Sequence, residues 1–227
     1  MSLQTRKDAN LTWGLAGPPG VGKTTLTGII ASEGEKLGKK AHIIPEFPKF
    51  LEWVDLNKRD SKLISWVGGD DDRHFELSDQ AYKLAFDYVA MRLVQEFNQY
   101  KGHSDFQIFE AARRIKGVKY HHLYDHMTRK LGPKVKHVNM EVQVHPQSEL
   151  ERRVLNRSKY DKLAAPLPIL KLYLEDEINY PAAVDDAAEF GDSFIWNSTF
   201  DNSRTPSESE EQVRGLVGQI FAMHKWA

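Results

Sequence analysis

Gly17-Pro18-Pro19-Gly20-Val21-Gly22-Lys23-Thr24 has the spacing G-x-x-x-x-G-K-T and stands between an apolar run, Leu11 to Ala16, and an amphipathic stretch opening at Thr25. That pattern is a phosphate-binding loop. Polyphosphate is held by backbone N–H groups that converge from a Gly-rich turn onto a helix N-terminus, so side chains must be absent where the chain bends around the anion. Gly17, Gly20 and Gly22 meet that need. In such a loop Lys23 reaches the β- and γ-phosphates and the Thr24 hydroxyl joins the coordination of Mg²⁺. The expected nucleotide-binding residues are therefore Gly17, Pro18, Pro19, Gly20, Val21, Gly22, Lys23, Thr24 and Thr25.

A phosphate held there needs carboxylates and cations around it. Glu46 follows the apolar run Ile43-Ile44-Pro45, and Glu110 closes Phe106-Gln107-Ile108-Phe109, with Arg113 and Arg114 shortly after. One carboxylate can take the proton of an attacking hydroxyl and the other can hold Mg²⁺, directly or through water. We expect Glu110, with Thr24, at the metal and Glu46 at the acceptor; for Glu46 the competing reading is a plain surface carboxylate. Charge spreading over a transferred phosphoryl group calls for arginines that close over it. Arg152, Arg153 and Arg157 offer that in a predicted helix, where Arg153 and Arg157 share a face. The same segment also reads as a solvated helix whose arginines pair with Glu149 and Glu151.

Several other patterns carry less. Asn57-Lys58-Arg59-Asp60 spells a guanine-reading motif but comes too early in the chain for that role. His122 and His126, beside His121 and Asp125, have helical metal-ligand spacing without a third ligand in view. Gly68-Gly69-Asp70-Asp71-Asp72 lacks the ligand spacing of a calcium loop and reads as a mobile acidic loop over the acceptor. Trp53, Trp66, Phe75, Tyr82 and Phe86 could stack on a base, although aromatics at helical spacing are more often core.

Positioning these groups requires alternating strands and helices. The strands expected are Leu11 to Ala16, Ala41 to Pro45, Phe106 to Phe109, Val135 to Val144 and Phe194 to Trp196. Helices are expected over about 24–37, ending near Gly34 and Gly38, then 77–100, 119–131, 146–157, 168–179 and 208–224, the last with a Ser207/Glu210 capping box. Apolar runs joined by helical stretches make a parallel sheet covered on both faces, with ligands beyond the carboxyl ends of its strands. The 227 residues, 41% hydrophobic, suit one domain over 11–227 after a loose tail at 1–10, with an arginine-bearing lid at about 150–165. A net charge of −1 gives no general reason to expect nucleic acid or a membrane as partner. Cysteine is absent, so disulfides and thiolate metal sites are excluded; with no signal-like or membrane-length run, a cytoplasmic location is expected.

The phosphate loop, Ile44-Pro45-Glu46-Phe47 with Trp53 beyond it, Ser78-Asp79-Gln80-Ala81-Tyr82, Phe109-Glu110 followed by arginine, and Arg153-x-x-x-Arg157 together resemble deoxynucleoside kinases and the related thymidylate kinases over residues 11 to 200. The resemblance implies a three-layer α/β/α P-loop fold with a five-stranded parallel sheet, ATP and Mg²⁺ as cofactors, and γ-phosphate transfer to a nucleoside or nucleoside monophosphate. It implies that Glu46 deprotonates the acceptor hydroxyl and that Gln80 reads the acceptor's base, with Trp53, Tyr82 and Arg114 nearby. It further implies that Glu110 with Arg113 matches a Glu-Arg-Ser element and that Arg153 and Arg157 are lid arginines. Here the chain reads Glu110-Ala111-Ala112-Arg113, which moves the arginine two residues along. The partners expected are the small acceptor and, with assembly left open, a second copy in a homodimer. Two alternatives stay open: a P-loop kinase for a non-nucleoside metabolite, and a nucleotide-dependent switch or NTPase acting on a protein, for which the sequence lacks a D-x-x-G element after the third strand.

Overall fold

The computed structural model describes residues 11–18, 20–67, 74–110, 130–131, 135–158 and 194–224. Within them β1 (Leu11–Ala16) places Leu11, Trp13 and Leu15 on one side and Thr12 on the other, as the two-residue period of a strand requires. All of these side chains are buried. A strand buried on both faces belongs at the centre of a parallel sheet, and β1 occupies that place. The sheet contains β2 (Ala41–Pro45), β5 (Phe106–Glu110), β1, β6 (Lys136–Gln143) and β7 (Phe194–Asp201), side by side in that order and all parallel. From β1 the chain goes out to β2 on one side and later returns to β6 on the other, so a crevice opens beyond the carboxyl end of β1.

One face is covered by α1 (Lys23–Lys36) and α5 (Pro206–Met223). Trp13 and Phe106 meet the Phe221 ring edge-on, with centroids 6.4 and 5.2 Å apart. The other face packs Ile44 and Phe109 against Leu93 and Phe97 of α3 (Asp79–Tyr100). A third apolar cluster joins α3 to α2 (Phe47–Asn57) and to a small antiparallel hairpin, β3 (Ile64–Val67) with β4 (His74–Leu77). The remaining helix, α4 (Gln147–Ser158), follows β6 and sets Leu150 and Val154 into the first cluster. No helix among the described residues is long and apolar enough to cross a membrane.

The expected three-layer α/β/α architecture with five parallel strands is what the chain forms, and several details differ. The last strand continues past Trp196 to Asp201, because Asn197 to Asp201, polar except for Phe200, still pair with β6, from Asn139↔Asn197 to Gln143↔Asp201. Gly34 does not end α1. The helix runs on to Lys36, and Gly34 is a close-packing point where a Cβ would lie 2.6 Å from the Phe106 ring. The capping box of α5 is Thr205 with Glu208, not Ser207 with Glu210: the Thr205 hydroxyl accepts from Glu208 N–H at 3.4 Å, and Glu208 accepts from Thr205 N–H at 3.0 Å. Pro206 decides between the two, since proline suits the first helical position and the cap must precede it. α2 and the hairpin were not expected. The tail at 1–10, the acidic Gly68–Asp72 loop, the histidine cluster at 121–126 and the helix at 168–179 lie outside the described residues, as does the helix at 119–131 apart from its last two residues.

On the α3 side, the sheet buries Thr12 and His137 together, with Thr12 Oγ1 and His137 Nδ1 2.6 Å apart. Burial, and then the charge of Lys136, pulls the imidazole down from 6.5 to about 4. The folded chain thus takes up this proton later than the unfolded chain does, so the contribution is complete above pH 6.5 and is lost as pH falls toward 4. The expected loss is about 3 kcal/mol over that window, from the shift at about 1.4 kcal/mol per unit. Urea unfolding of the His137→Gln protein between pH 4 and 7 should show a shallower pH slope than the parent; equal slopes would remove His137 as its source.

Candidate functional site

At the carboxyl end of β1 the chain turns through Gly17, Gly20 and Gly22 into α1. The turn is clasped from outside. A Cβ at Gly20 would lie 2.7 Å from Val154 Cγ2 of α4, and one at Gly22 would lie 2.6 Å from Asn202 Nδ2. Gly22 also has φ 94° and ψ 20°, a left-handed conformation that glycine adopts without strain. Lys23 curls back across the turn, donating from Nζ to the carbonyls of Gly17 (2.7 Å) and Pro18 (3.0 Å). The ammonium therefore sits in the bend with the converging backbone. Helical bonding starts at once, Leu26 N–H donating to Gly22 O at 3.0 Å, so the N–H groups of the first turn of α1 point toward the same space. Pro19 lies outside the described residues, and Thr25 is exposed in that first turn.

The two glutamates come side by side through their backbones at this end of the sheet. Pro45 of β2 is in register with Glu110 of β5, and Glu46 N–H donates to Glu110 O at 3.4 Å. Glu110 is half-buried, and its Oε1 accepts a short hydrogen bond from the Thr24 hydroxyl. A hydroxyl and a carboxylate side by side at a phosphate loop are the hard oxygen donors that Mg²⁺ takes, with water and phosphate completing its shell. The donor set therefore fits Mg²⁺, and the glycine-walled bend fits a phosphate chain. Glu46, only 8% exposed, starts α2 without capping it. Its place is fixed by Lys49. That side chain, also 8% exposed, donates to Pro45 O at 2.9 Å and meets Glu96 Oε2 at 2.5 Å, while Glu96 Oε1 lies 3.0 Å from His42 Nε2. The His42 ring stacks on Tyr100 with centroids 3.7 Å apart. This clamp joins β2, α2 and α3 directly behind Glu46. No sequence pattern announces it, because residues 42, 49 and 96 are brought together only by the fold.

Other residues singled out from sequence stand elsewhere. Trp53 is 4% exposed in the core among Val54, Ile64, Ala81 and Ala85, so its ring is not available to an acceptor. Gln80 is exposed in the first turn of α3. Beyond Glu46 aromatic rings follow one another in a line: Phe47 to Phe50 at 6.5 Å, Phe50 to Phe75 at 6.2 Å, and Phe75 to Trp66 at 5.7 Å. Arg153 does not point over the phosphate loop from a lid. Its Nε donates to Glu149 Oε1 at 2.9 Å and its Nη1 to the Asn202 carbonyl at 3.1 Å. Arg152 donates to the same carboxylate at 2.7 and 2.8 Å; Arg152, then Arg153, hold the Glu149 carboxyl down at about 2. The paired-charge reading of this helix is the one its geometry follows. Arg113, Arg114 and the side chains of Tyr82 and Arg157 lie outside the described residues. Asn202, which touches the loop, carried no sequence signal, since the strand expected before it ended at Trp196.

No protein-family model matches the sequence, and no curated protein matches it. Solved structures do match its fold. The chain is similar to a gluconokinase from Sinorhizobium meliloti 1021, at 12% identity and a TM-score of 0.52, over 94% of this chain and 95% of that one. It is likewise similar to the protein APE1195, at 13% identity and a TM-score of 0.50, over 96% of this chain and 98% of that one. Likeness at this identity establishes a shared fold and nothing beyond it.

Proposed function

We propose that the chain is an ATP-dependent phosphotransferase that moves a γ-phosphate onto the hydroxyl or phosphate of a small acceptor. The observation that carries this reading is the bond from Thr24 to Glu110 at the mouth of a loop already closed over by Lys23. It joins the groups that a phosphate chain and its cation need. A structural turn would have no use for an acid at the end of a neighbouring strand, held against the hydroxyl that follows the loop lysine.

Loop amides and Lys23 bind and orient the phosphates; Thr24 and Glu110 would hold Mg²⁺, which neutralises charge on the transferred group. Glu46 takes the proton of the acceptor hydroxyl. Its low exposure keeps competing water away, and the Lys49–Glu96 clamp keeps its backbone in place. Arg113 and Arg157 are the proposed further cations. For the acceptor we propose a nucleoside or nucleoside monophosphate, supported by the sequence resemblance and by the aromatic line that leads away from Glu46. The nearby gluconokinase fold makes a polyhydroxy acid the alternative to include.

The deciding experiment is transfer from γ-³²P-ATP across nucleosides, nucleoside monophosphates and sugar acids. Label appearing in one acceptor class confirms the reaction and names the substrate. Release of inorganic phosphate at a rate no acceptor changes would instead mark a nucleotide-driven switch.

A further inference from the structure

We propose that Asn202 is a positioning residue for the phosphate loop: its side-chain amide sets the peptide plane between Val21 and Gly22 so that the Gly22 N–H faces the anion. This rests on reading residues 17–24 as the nucleotide-binding loop. Asn202 stands just after β7, far from the loop in sequence, and is 9% exposed. Three contacts define its place. Its Nδ2 donates to the Val21 carbonyl at 2.6 Å, its own N–H donates to Gln143 O at 2.8 Å, and its carbonyl accepts from Arg153 Nη1 at 3.1 Å.

The consequence follows from peptide geometry. In a planar trans peptide the carbonyl and the next N–H point in opposite directions. A Val21 carbonyl drawn outward to Asn202 therefore turns the Gly22 N–H inward, toward the bend that holds the Lys23 ammonium. A left-handed glycine two residues after another has little of its own to stop that plane from rotating, so an outside donor is what holds it. The fit is close enough to leave no room for a side chain at position 22, where a Cβ would meet the Asn202 amide. Arg153 acts one step further out. Held by Glu149 at 2.9 Å, it anchors the Asn202 backbone, which gives the arginine once read as a lid residue a different duty on the same substrate.

The test is ADP affinity with Mg²⁺, measured by calorimetry on the full chain, for the parent and for Asn202→Asp. Aspartate keeps the shape, removes the donor and sets an anion against a carbonyl. We expect ADP to bind roughly tenfold more weakly, the size set by leaving one buried acceptor unpaired. KM for ATP should rise in step while KM for the acceptor stays unchanged. A merely structural asparagine would not move the amide resonance of Gly22, so the ADP-induced shift of that ¹H–¹⁵N peak is the second readout: present in the parent, diminished in the variant. Arg153→Ala should weaken ADP in the same direction, by about threefold as an indirect contact, and it is read in place of Asn202→Asp if that variant does not fold. Parent-like ADP affinity in the folded variant overturns the proposal. A parent that binds neither ADP nor ATP overturns the kinase reading itself, a result distinct from the first.

Discussion

Lys23→Ala is expected to lower phosphate transfer by about 10²–10³-fold or more, as loss of one preorganised donor at a developing charge typically does. The reason is local. The Lys23 ammonium is the one cation seen inside the bend among the described residues, bonded to Gly17 and Pro18 carbonyls that outline the space for the phosphates. Those two bonds also make the lysine part of the loop's own structure, so the variant should lose some stability. Charge-assisted bonds on a half-exposed side chain are worth about 1–2 kcal/mol net, and for a chain of this size each kcal/mol lowers the melting midpoint by roughly 2–4 °C. Rate and melting temperature must therefore be measured together. A thousandfold loss of rate with a shift of only a few degrees places the lysine in the chemistry, while a folded variant with parent activity would refute the mechanism. Lys23→Arg should not rescue it, since a planar guanidinium cannot replace a compact ammonium between two close carbonyls.

How far the sequence foretold this site depends on whether a residue's neighbours are near it in the chain. The sheet was legible because strands buried on both faces carry runs that are apolar but for a single polar residue, as in Leu11 to Ala16 and Phe106 to Phe109. That Thr24 and Glu110 come together was legible too, since an acid is expected where a strand ends beside the phosphate loop. α2 was hidden by its own start: Pro45 and Pro48 around Glu46 read as a loop, although proline is at home in a first helical turn and Phe50, Trp53 and Val54 keep helical spacing. For Arg153 two partners were available in sequence, a phosphate ahead or Glu149 one turn behind. Only the position of Asn202 against α4 decides between them. The Lys49–Glu96–His42 clamp and the Asn202 bond to Val21 are contacts across the fold, and no local pattern encodes either. Where two S/T-x-x-E patterns overlapped, at Thr205 and Ser207, the rule for proline at the first helical position was sufficient to choose.

Glu46→Gln and Glu110→Gln should both cripple transfer, but in different ways, and the difference tests which carboxylate does what. Glu46 is buried just past the end of β2; as the proton acceptor it acts on the chemical step. Its amide variant should lose about 10²–10⁴-fold in kcat, the usual range for a general base, with ADP affinity and Mg²⁺ dependence unchanged. Glu110 instead shares a hydrogen bond with Thr24, so its loss falls first on the cation. The amide keeps one oxygen donor and drops the charge, so transfer should fall sharply at ordinary Mg²⁺ and recover in part as the metal is raised, because an excess of ligand offsets weakened binding. The structure makes one further demand. The Glu46 backbone is fixed by Lys49 through Pro45 and Glu96, so Glu96→Gln should copy Glu46→Gln in kind though less severely, lowering kcat while leaving the Mg²⁺ curve in place. If Glu96→Gln shifted the Mg²⁺ requirement instead, the clamp would belong with Glu110 and the proton acceptor would have to be sought elsewhere on the acceptor side.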